Sequence, residues 1–279
     1  MLQTPVLPDT TVISFDRHSV LGGVDLFRAR FVDHVSQGHA HSDYEIGVVG
    51  FGPRLIRCRG REYTAEPGSI VAIAPGEVHS GAPLDAGGST WQSFLVSAQT
   101  LGAAPRFAYP VIVDPELATE LAEVHSDLEH GGWSEEREQR LRGAFAMLVA
   151  RHGLAEDGAR AVGEREAVRQ VRLHLEEHYG SLIRLEPLAR QVGLSIFQLI
   201  RQFRAETGLP PYAYLEQIRI DRAIGMLRAG VPISEVARRT GFSDQSHLTR
   251  FFKRITGVPP GHYRRSVERV RRRAVAGLA

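Results

Sequence analysis

LARQVGLSIFQLIRQFRAETGLPPYAY, residues 188–214, and VARRTGFSDQSHLTRFFKRITGVPPGHY, residues 236–263, are two copies of one unit. Up to the serine the copies are 48 residues apart, pairing Ala189 with Ala237, Arg190 with Arg238, Gly193 with Gly241 and Ser195 with Ser243. One extra residue then enters the second copy. Beyond it the offset is 49, pairing Leu199 with Leu248, Arg201 with Arg250, Phe203 with Phe252, Thr207-Gly208 with Thr256-Gly257, Pro210-Pro211 with Pro259-Pro260 and Tyr214 with Tyr263. So many matches across one insertion mark a duplication.

Each copy reads as helix-turn-helix. A short helix, Glu186–Gln191 or Ser234–Thr240, carries a small Ala where another helix must come close. Gly193 or Gly241 supplies the left-handed residue that ends it. Ser195 or Ser243 caps the next helix. In that helix Leu199 and Phe203, or Leu248 and Phe252, lie four residues apart and turn inward. Thr-Gly and Pro-Pro then stop it. The second helix of such a unit is free to enter a major groove. A helical repeat that merely packs is the competing reading, and an arginine on each second helix weighs against it. Between the copies, Tyr212–Arg228 reads as one continuous helix with Leu215, Ile218, Ala223, Ile224 and Leu227 apolar. It would hold two reading heads at a fixed distance, about 34 Å if both face one side of B-DNA.

From about Glu166 to Arg265 the chain resembles the DNA-binding domain of AraC/XylS transcription regulators. Gly241–Lys253 and Gly257–Arg264 are the most specific stretch. The resemblance implies one polypeptide that inserts two recognition helices into adjacent major grooves, usually to regulate transcription. With Leu199 and Phe203 inward, Phe197, Gln198, Ile200, Arg201 and Gln202 are left outward or flanking. In the second helix the outward set is Gln245, Ser246, Thr249 and Arg250. Arg201 suits guanine, because its fork bonds O6 and N7 together, and Gln245 suits adenine. Phe197 and Ile200 suit thymine methyls. Arg204, Lys253 and Arg254 read as phosphate contacts. The resemblance places base contacts near these positions, and Arg201 and Arg250 match its usual arginine.

The charge is divided in the same way. The 279 residues total only +2, yet residues 1–165 carry 14 Arg against 22 acidic residues, and residues 166–279 carry 19 Arg and Lys253 against 10. The halves are therefore −8 and +10, which fits a nucleic-acid-binding module joined to something else. With 43% apolar and 24% charged residues the chain reads as globular. The lone Cys58 forms no intrachain disulfide and no cysteine-based zinc site; it reads as a buried thiol rather than a redox sensor. No apolar run reaches membrane-spanning length and no signal peptide is visible at Met1–Asp9, so a cytoplasmic protein without membrane contact is expected.

In the acidic half, residues 10–100 alternate short apolar runs with turn signals, as at Glu45–Val49, Arg54–Arg59, Ser69–Ala74 and Trp91–Val96. This predicts a β-barrel or sandwich. Two amphipathic helices follow. One is capped by Asp114 before Pro115, with Leu117, Leu121, Val124 and Leu128 on one face, and ends at Gly131-Gly132. The other is capped by Ser134, with Leu141, Phe145 and Leu148. They either pack on the barrel or pair with a second subunit. Residues 153–165 read as a linker, and Val168, Val171, Leu173 and Leu175 open the helical half.

His39-Ala40-His41, Glu45 and Gly52, followed by Pro75-Gly76-Glu77-Val78-His79, form the other constellation. On a strand residues 39, 41 and 45 share a face, and a barrel can bring His79 to them. The spacing resembles the two cupin motifs, although the second lacks the residue between Pro75 and Gly76. With Arg61-Glu62-Tyr63 and Glu66-Pro67-Gly68-Ser69 it also resembles the AraC-type ligand-binding version of that barrel. Three readings stand side by side: a pocket for a small polar effector lined by His39, His41, Glu45 and His79; a divalent metal on the same four residues; and structural histidines.

The expected architecture is α+β. It comprises a cupin-like effector-binding barrel (1–113), a helical pair (114–152) that is a possible dimerisation element, a linker (153–165), a double helix-turn-helix domain (166–266) and a basic tail (267–279). The expected function is a non-enzymatic, effector-responsive transcription regulator, an activator by preference. Its expected partners are double-stranded DNA, a small molecule, RNA polymerase and a second copy of itself, with no obligatory cofactor. The alternatives are a metal-dependent cupin enzyme fused to a DNA-binding domain, and an architectural DNA binder.

Overall fold

The structure, a computed structural model, describes residues 12–18, 24–32, 35–36, 38–102, 104–131, 134–154, 165–265 and 267–268. Most of the expected linker and the tail with Arg271-Arg272-Arg273 lie outside these residues. The chain divides into two compact units. The first comprises Met1–Val35, Tyr44–Ile73 and Gly81–Gly153; the second comprises Leu154–Ala279 with the segments Ser36–Asp43 and Ala74–Ser80.

The sheet-rich part runs β1 (Val12–His18), β2 (Val24–Phe31), β3 (Tyr44–Val49), β4 (Arg54–Cys58), β5 (Arg61–Ala65), β6 (Ile70–Ile73), β7 (His79–Pro83), β8 (Ser89–Val96), α1 (Ala98–Leu101), β9 (Arg106–Phe107), β10 (Val111–Ile112), α2 (Pro115–Gly131), α3 (Glu135–His152) and β11 (Gly153–Leu154). Six strands form one sheet in the order β1-β2-β8-β3-β6-β10, and β5-β4-β7 form a second. Its strand pairs β1·β2, β2·β8, β8·β3, β3·β6 and β6·β10 are all antiparallel. Strand alternation sorts side chains to two faces. Phe27, Ala29 and Phe31 oppose Ser93, Trp91 and Ser89 on one of them, and Leu26 opposes Phe94 on the other.

The Phe94 face is covered by the two helices. Leu117, Leu121, Val124 and Leu128 of α2 and Leu141, Phe145 and Leu148 of α3 are all buried, as their spacing predicts. Phe94 meets the His125 ring at 5.1 Å and the Phe145 ring at 5.5 Å. The expected caps hold: Asp114 Oδ1 accepts from Leu117 N and Ser134 Oγ from Arg137 N. Of the two placements left open, the helices do pack on the sheet. Cys58 is buried.

His125 has a pH signature. Burial depresses its pKa from 6.5 to about 4; Arg28 adds to this and Glu129 opposes it. The folded state therefore holds the ring neutral where the unfolded chain would protonate it. Stability from this group is complete above pH 6.5 and is lost as pH falls toward 4, by up to about 3 kcal/mol. Urea midpoints should fall between pH 7.5 and pH 5, and His125→Leu should flatten that fall. An unchanged slope in the variant contradicts the assignment.

The second unit is helical: α4 (Glu166–Glu177), α5 (Leu185–Gln191), α6 (Ile196–Thr207), α7 (Pro211–Arg228), α8 (Ile233–Arg239) and α9 (Gln245–Thr256). Val168, Val171 and Leu175 of α4, Leu188 and Ala189 of α5, Leu199 and Phe203 of α6, and Leu215 of α7 share one core. Leu173 departs from expectation. It is 36% exposed, because 168, 171 and 175 keep helical spacing and 173 falls off their face.

A candidate DNA-binding interface and an interior polar site

The duplication persists down to hydrogen bonds. After α5, Gly193 (φ 71°) ends the helix, and Leu194 N donates to Ala189 O at 2.9 Å; after α8, Gly241 (φ 76°) does the same, with Phe242 N donating to Ala237 O at 3.0 Å. Thr207 Oγ1 donates to Phe203 O and Leu209 O, and Thr256 Oγ1 to Phe252 O and Val258 O. Phe203 meets Tyr214 edge-on at 5.4 Å, and Phe252 meets Tyr263 at 5.5 Å. Each unit thus ties its second helix to the segment that follows by the same threonine and the same aromatic pair.

The caps differ. Ser195 starts α6 with a full capping box, its Oγ accepting from Gln198 N while Gln198 Oε1 accepts from Ser195 N. In the second copy Asp244, not the expected Ser243, is the N-cap, and its carboxylate accepts from His247 N at 2.8 Å. The inserted residue lies just before the cap, so Ser195 corresponds to Asp244. Ser243 instead donates to Asp244 and lies 3.1 Å from His247 Nδ1.

On α6 the nominated Phe197, Gln198, Arg201 and Arg204 are exposed, Phe197 at 82%. Gln202 is half-buried, and Ile200 leans on the core beside Leu199. On α9 Gln245, Ser246, Arg250 and Lys253 are exposed, and Thr249 is half-buried. Among the described residues Arg201, Arg204 and Lys253 make no ion pair, so their charge faces solvent. Arg250 lies 5.5 Å over the Phe251 ring. Two nominated side chains have local work: the Gln198 amide serves the cap, and Arg254 is clamped to Glu216 at 2.6 Å and stacked 4.0 Å over Phe251. The cap uses only the Gln198 oxygen and leaves its NH2 unengaged by it, and Arg254 is already paired with Glu216. Residues 166–266 carry 15 Arg and Lys253 against 9 acidic residues, a net charge of +7, and Arg201, Arg204 and Lys253 add exposed positive charge, unpaired among the described residues, on α6 and α9.

The constellation of the acidic half is divided. His39, His41 and His79 come together, with ligand nitrogens within 4.8 Å of one another. Glu45 is not in that group. The expected continuous strand through 39, 41 and 45 does not form: His39 makes an isolated antiparallel bridge with His79, bends follow, and β3 begins only at Tyr44. Glu45 belongs instead to the interior face of the first unit, where its Oε1 accepts from Trp91 Nε1 at 3.2 Å and from Ser93 Oγ at 3.0 Å.

Around Glu45 lies a polar interior that sequence reading missed. Arg54 of β4 is only 5% exposed and donates to Ser89 Oγ at 2.8 Å. Its guanidinium lies 4.7 Å over the Phe31 ring and 5.5 Å from the Trp91 ring. Burial lowers its pKa to about 10, opposed by the charge of Glu45. Its Nε has no hydrogen-bond partner among the described residues. Asp25 is buried as well. Gly47 makes room for the indole: a Cβ there would sit 2.1 Å from Trp91 Cζ2. A buried fork, a carboxylate, two hydroxyls and an aromatic plane thus share one interior face of the first unit.

Family models match both halves, an AraC-like ligand-binding domain over residues 21–145 and a helix-turn-helix domain over residues 188–266. The chain belongs to the AraC/XylS family of transcription regulators. It is 28% identical over 250 residues to the uncharacterised HTH-type transcriptional regulator YbfI of Bacillus subtilis, covering 86% of this chain and 90% of that one. To the arabinose operon regulatory protein of Escherichia coli it is 26% identical over 277 residues, covering 95% and 94%. To the transcriptional activator RhaS of Salmonella paratyphi A it is 27% identical over 233 residues, covering 77% and 83%. Among solved structures, ToxT of Vibrio cholerae shares the fold at a TM-score of 0.54 and 14% identity, over 93% of this chain and 99% of that one. The regulator thus joins a ligand-binding domain to a DNA-binding domain. No helix among its described residues is long and apolar enough to cross a membrane.

Proposed function

We propose that this regulator is a cytoplasmic, sequence-specific activator that reads two successive major grooves with α6 and α9 and answers to a small molecule held in the interior of its first unit. The observation that carries the reading is the duplicated unit, in which Arg201 and Arg250 occupy equivalent exposed positions on two capped helices. Arg201, Gln245 and Arg250 supply base contacts, with Phe197, Gln198, Ile200, Gln202, Ser246 and Thr249 flanking them, and Arg204 and Lys253 hold phosphate. Of the residues nominated for the effector, Glu45 stays at the pocket wall, joined by Arg54, Trp91 and Ser93. The effector offers an acceptor to the Arg54 fork and a flat face to Trp91. Activation through RNA polymerase and pairing with a second copy through the helical pair belong to the same reading. The first is supported by likeness to RhaS, a named activator.

An effector shifts DNA binding only by its differential affinity for two states, and the coupling is reciprocal. Arabinose, suggested by the E. coli relative, and a panel of small sugars and carboxylates serve as probes in a thermal-shift screen. A compound that stabilises the protein should change operator affinity, commonly 5–150-fold on the order of known couplings, and the operator should change its affinity by the same factor. Arg54→Met should weaken the compound and spare binding to effector-independent DNA. A stabilising compound with no mutual effect on operator binding contradicts the proposal.

A further inference from the structure

We propose that His39, His41 and His79 form a site for one divalent transition-metal ion of the zinc type, built from three imidazoles and without Glu45. Three neutral imidazole nitrogens are a donor set for borderline ions such as zinc, whereas calcium and magnesium require oxygen ligands.

The backbone brings the donors together. His39 N donates to His79 O and His79 N to His39 O, each at 2.9 Å, while Gly76 N donates to His41 O at 2.9 Å. These bonds tie the segment carrying His39 and His41 to the one carrying His79. The ring centroids lie 4.4 Å apart for His39 and His79, 4.8 Å for His41 and His79, and 6.0 Å for His39 and His41. A tetrahedral ion with nitrogens at 2.0–2.1 Å needs those nitrogens about 3.4 Å apart. The nitrogens lie within 4.8 Å of one another, so rotation about the side-chain torsions has to close the set by up to about 1.4 Å.

The ring tautomers point the same way. His41 Nδ1 lies 2.8 Å from the Asp43 carbonyl oxygen, and His79 Nδ1 lies 2.9 Å from that of Glu77. A carbonyl only accepts, so both Nδ1 atoms carry the proton and both Nε2 atoms carry the lone pair. Backbone carbonyls hold metal-ligating histidines in this way, fixing the ring and raising the basicity of the ligating nitrogen. His79 is buried and the other two rings are half-buried, which leaves an entry path. Three protein ligands leave a fourth position for water or a ligand.

The described residues include an internal control. His174, in the last turn of α4, and His178, its C-cap, stack at 4.3 Å, but they offer two ligands rather than three. The full chain, stripped with chelator and dialysed, should take up one Zn2+ per chain by calorimetry and metal analysis. Co2+ should give the visible absorption bands of a low-coordinate nitrogen site. His39→Ala and His79→Ala should each weaken the ion by more than about a hundredfold, since loss of even an outer-shell partner costs about 10–100-fold. His41→Ala, at a half-buried position, should keep the wild-type circular dichroism and metal-free melting temperature yet lose the zinc-induced rise in melting temperature. His174→Ala with His178→Ala should leave all of these unchanged. No stoichiometric ion on the full chain, retention of the ion after His39→Ala with His79→Ala, or its loss with the α4 pair overturns the proposal.

Discussion

Alanine at Arg201 and Arg250 together lowers affinity for the preferred DNA sequence by on the order of a thousandfold, while affinity for random DNA falls only a few-fold. The reasoning is arithmetic. A bidentate arginine–guanine contact is worth about 1–3 kcal/mol of discrimination, and two of them at well-separated positions add approximately. Both arginines are exposed at equivalent points of α6 and α9, and neither forms a salt bridge among the described residues. Lys253→Ala is the contrasting case. As a phosphate contact it should weaken all sequences alike and reduce the slope of log affinity against log salt by about one. Titrations at several salt concentrations separate the two. If the arginine variant weakens every sequence equally and flattens the salt slope, those arginines hold phosphate and the base-reading assignment is wrong.

Phe252→Ala costs about 3–5 kcal/mol, because a fully buried aromatic leaves a cavity that its surroundings only partly fill. Phe252 packs edge-on against buried Tyr263, whose hydroxyl accepts from Arg228 Nε at 2.7 Å. The cavity therefore opens where α9, the end of α7 and the segment after Pro260 meet. Total stability of a domain is only about 5–15 kcal/mol. The second reading head should lose its shape well below the wild-type melting temperature, and specific DNA binding should go with it. Phe203→Ala should do the same to the first head, since Phe203 repeats the contact with Tyr214. Urea denaturation with helical circular dichroism is the measurement, and a loss under 1 kcal/mol contradicts the packing described.

The helical half was largely legible before its structure, because its signals are local. Glycine at 193 and 241, the i and i+4 apolar pairs, and the Thr-Gly stops act within a few residues of where they stand. The error at Ser243 was local too. An aligned repeat does not say on which side of the cap an insertion falls, and here it falls before the cap, so that Asp244 takes the place of Ser195. The polar interior proposed for the effector was not legible, because its contacts are far apart in the chain. Glu45 reaches Trp91 across 46 residues, and Arg54 reaches Ser89 across 35. Counting alternate residues from His39 to Glu45 assumed an unbroken strand, and the bends before Tyr44 break it. A buried arginine is unexpected from composition, since charged groups are rarely interior unless paired. Here Glu45, Ser89 and two aromatic rings make it tolerable.

The central claim is that one chain reads DNA at two places with a fixed spacing. Selecting bound sequences from random duplex DNA at a single salt concentration tests it most directly. Two short specified blocks, with centres about one helical turn, roughly 10 base pairs, apart, are the predicted result. Phe203→Ala should erase one block and Phe252→Ala the other. A single block, blocks of variable spacing, or no enrichment would contradict the account.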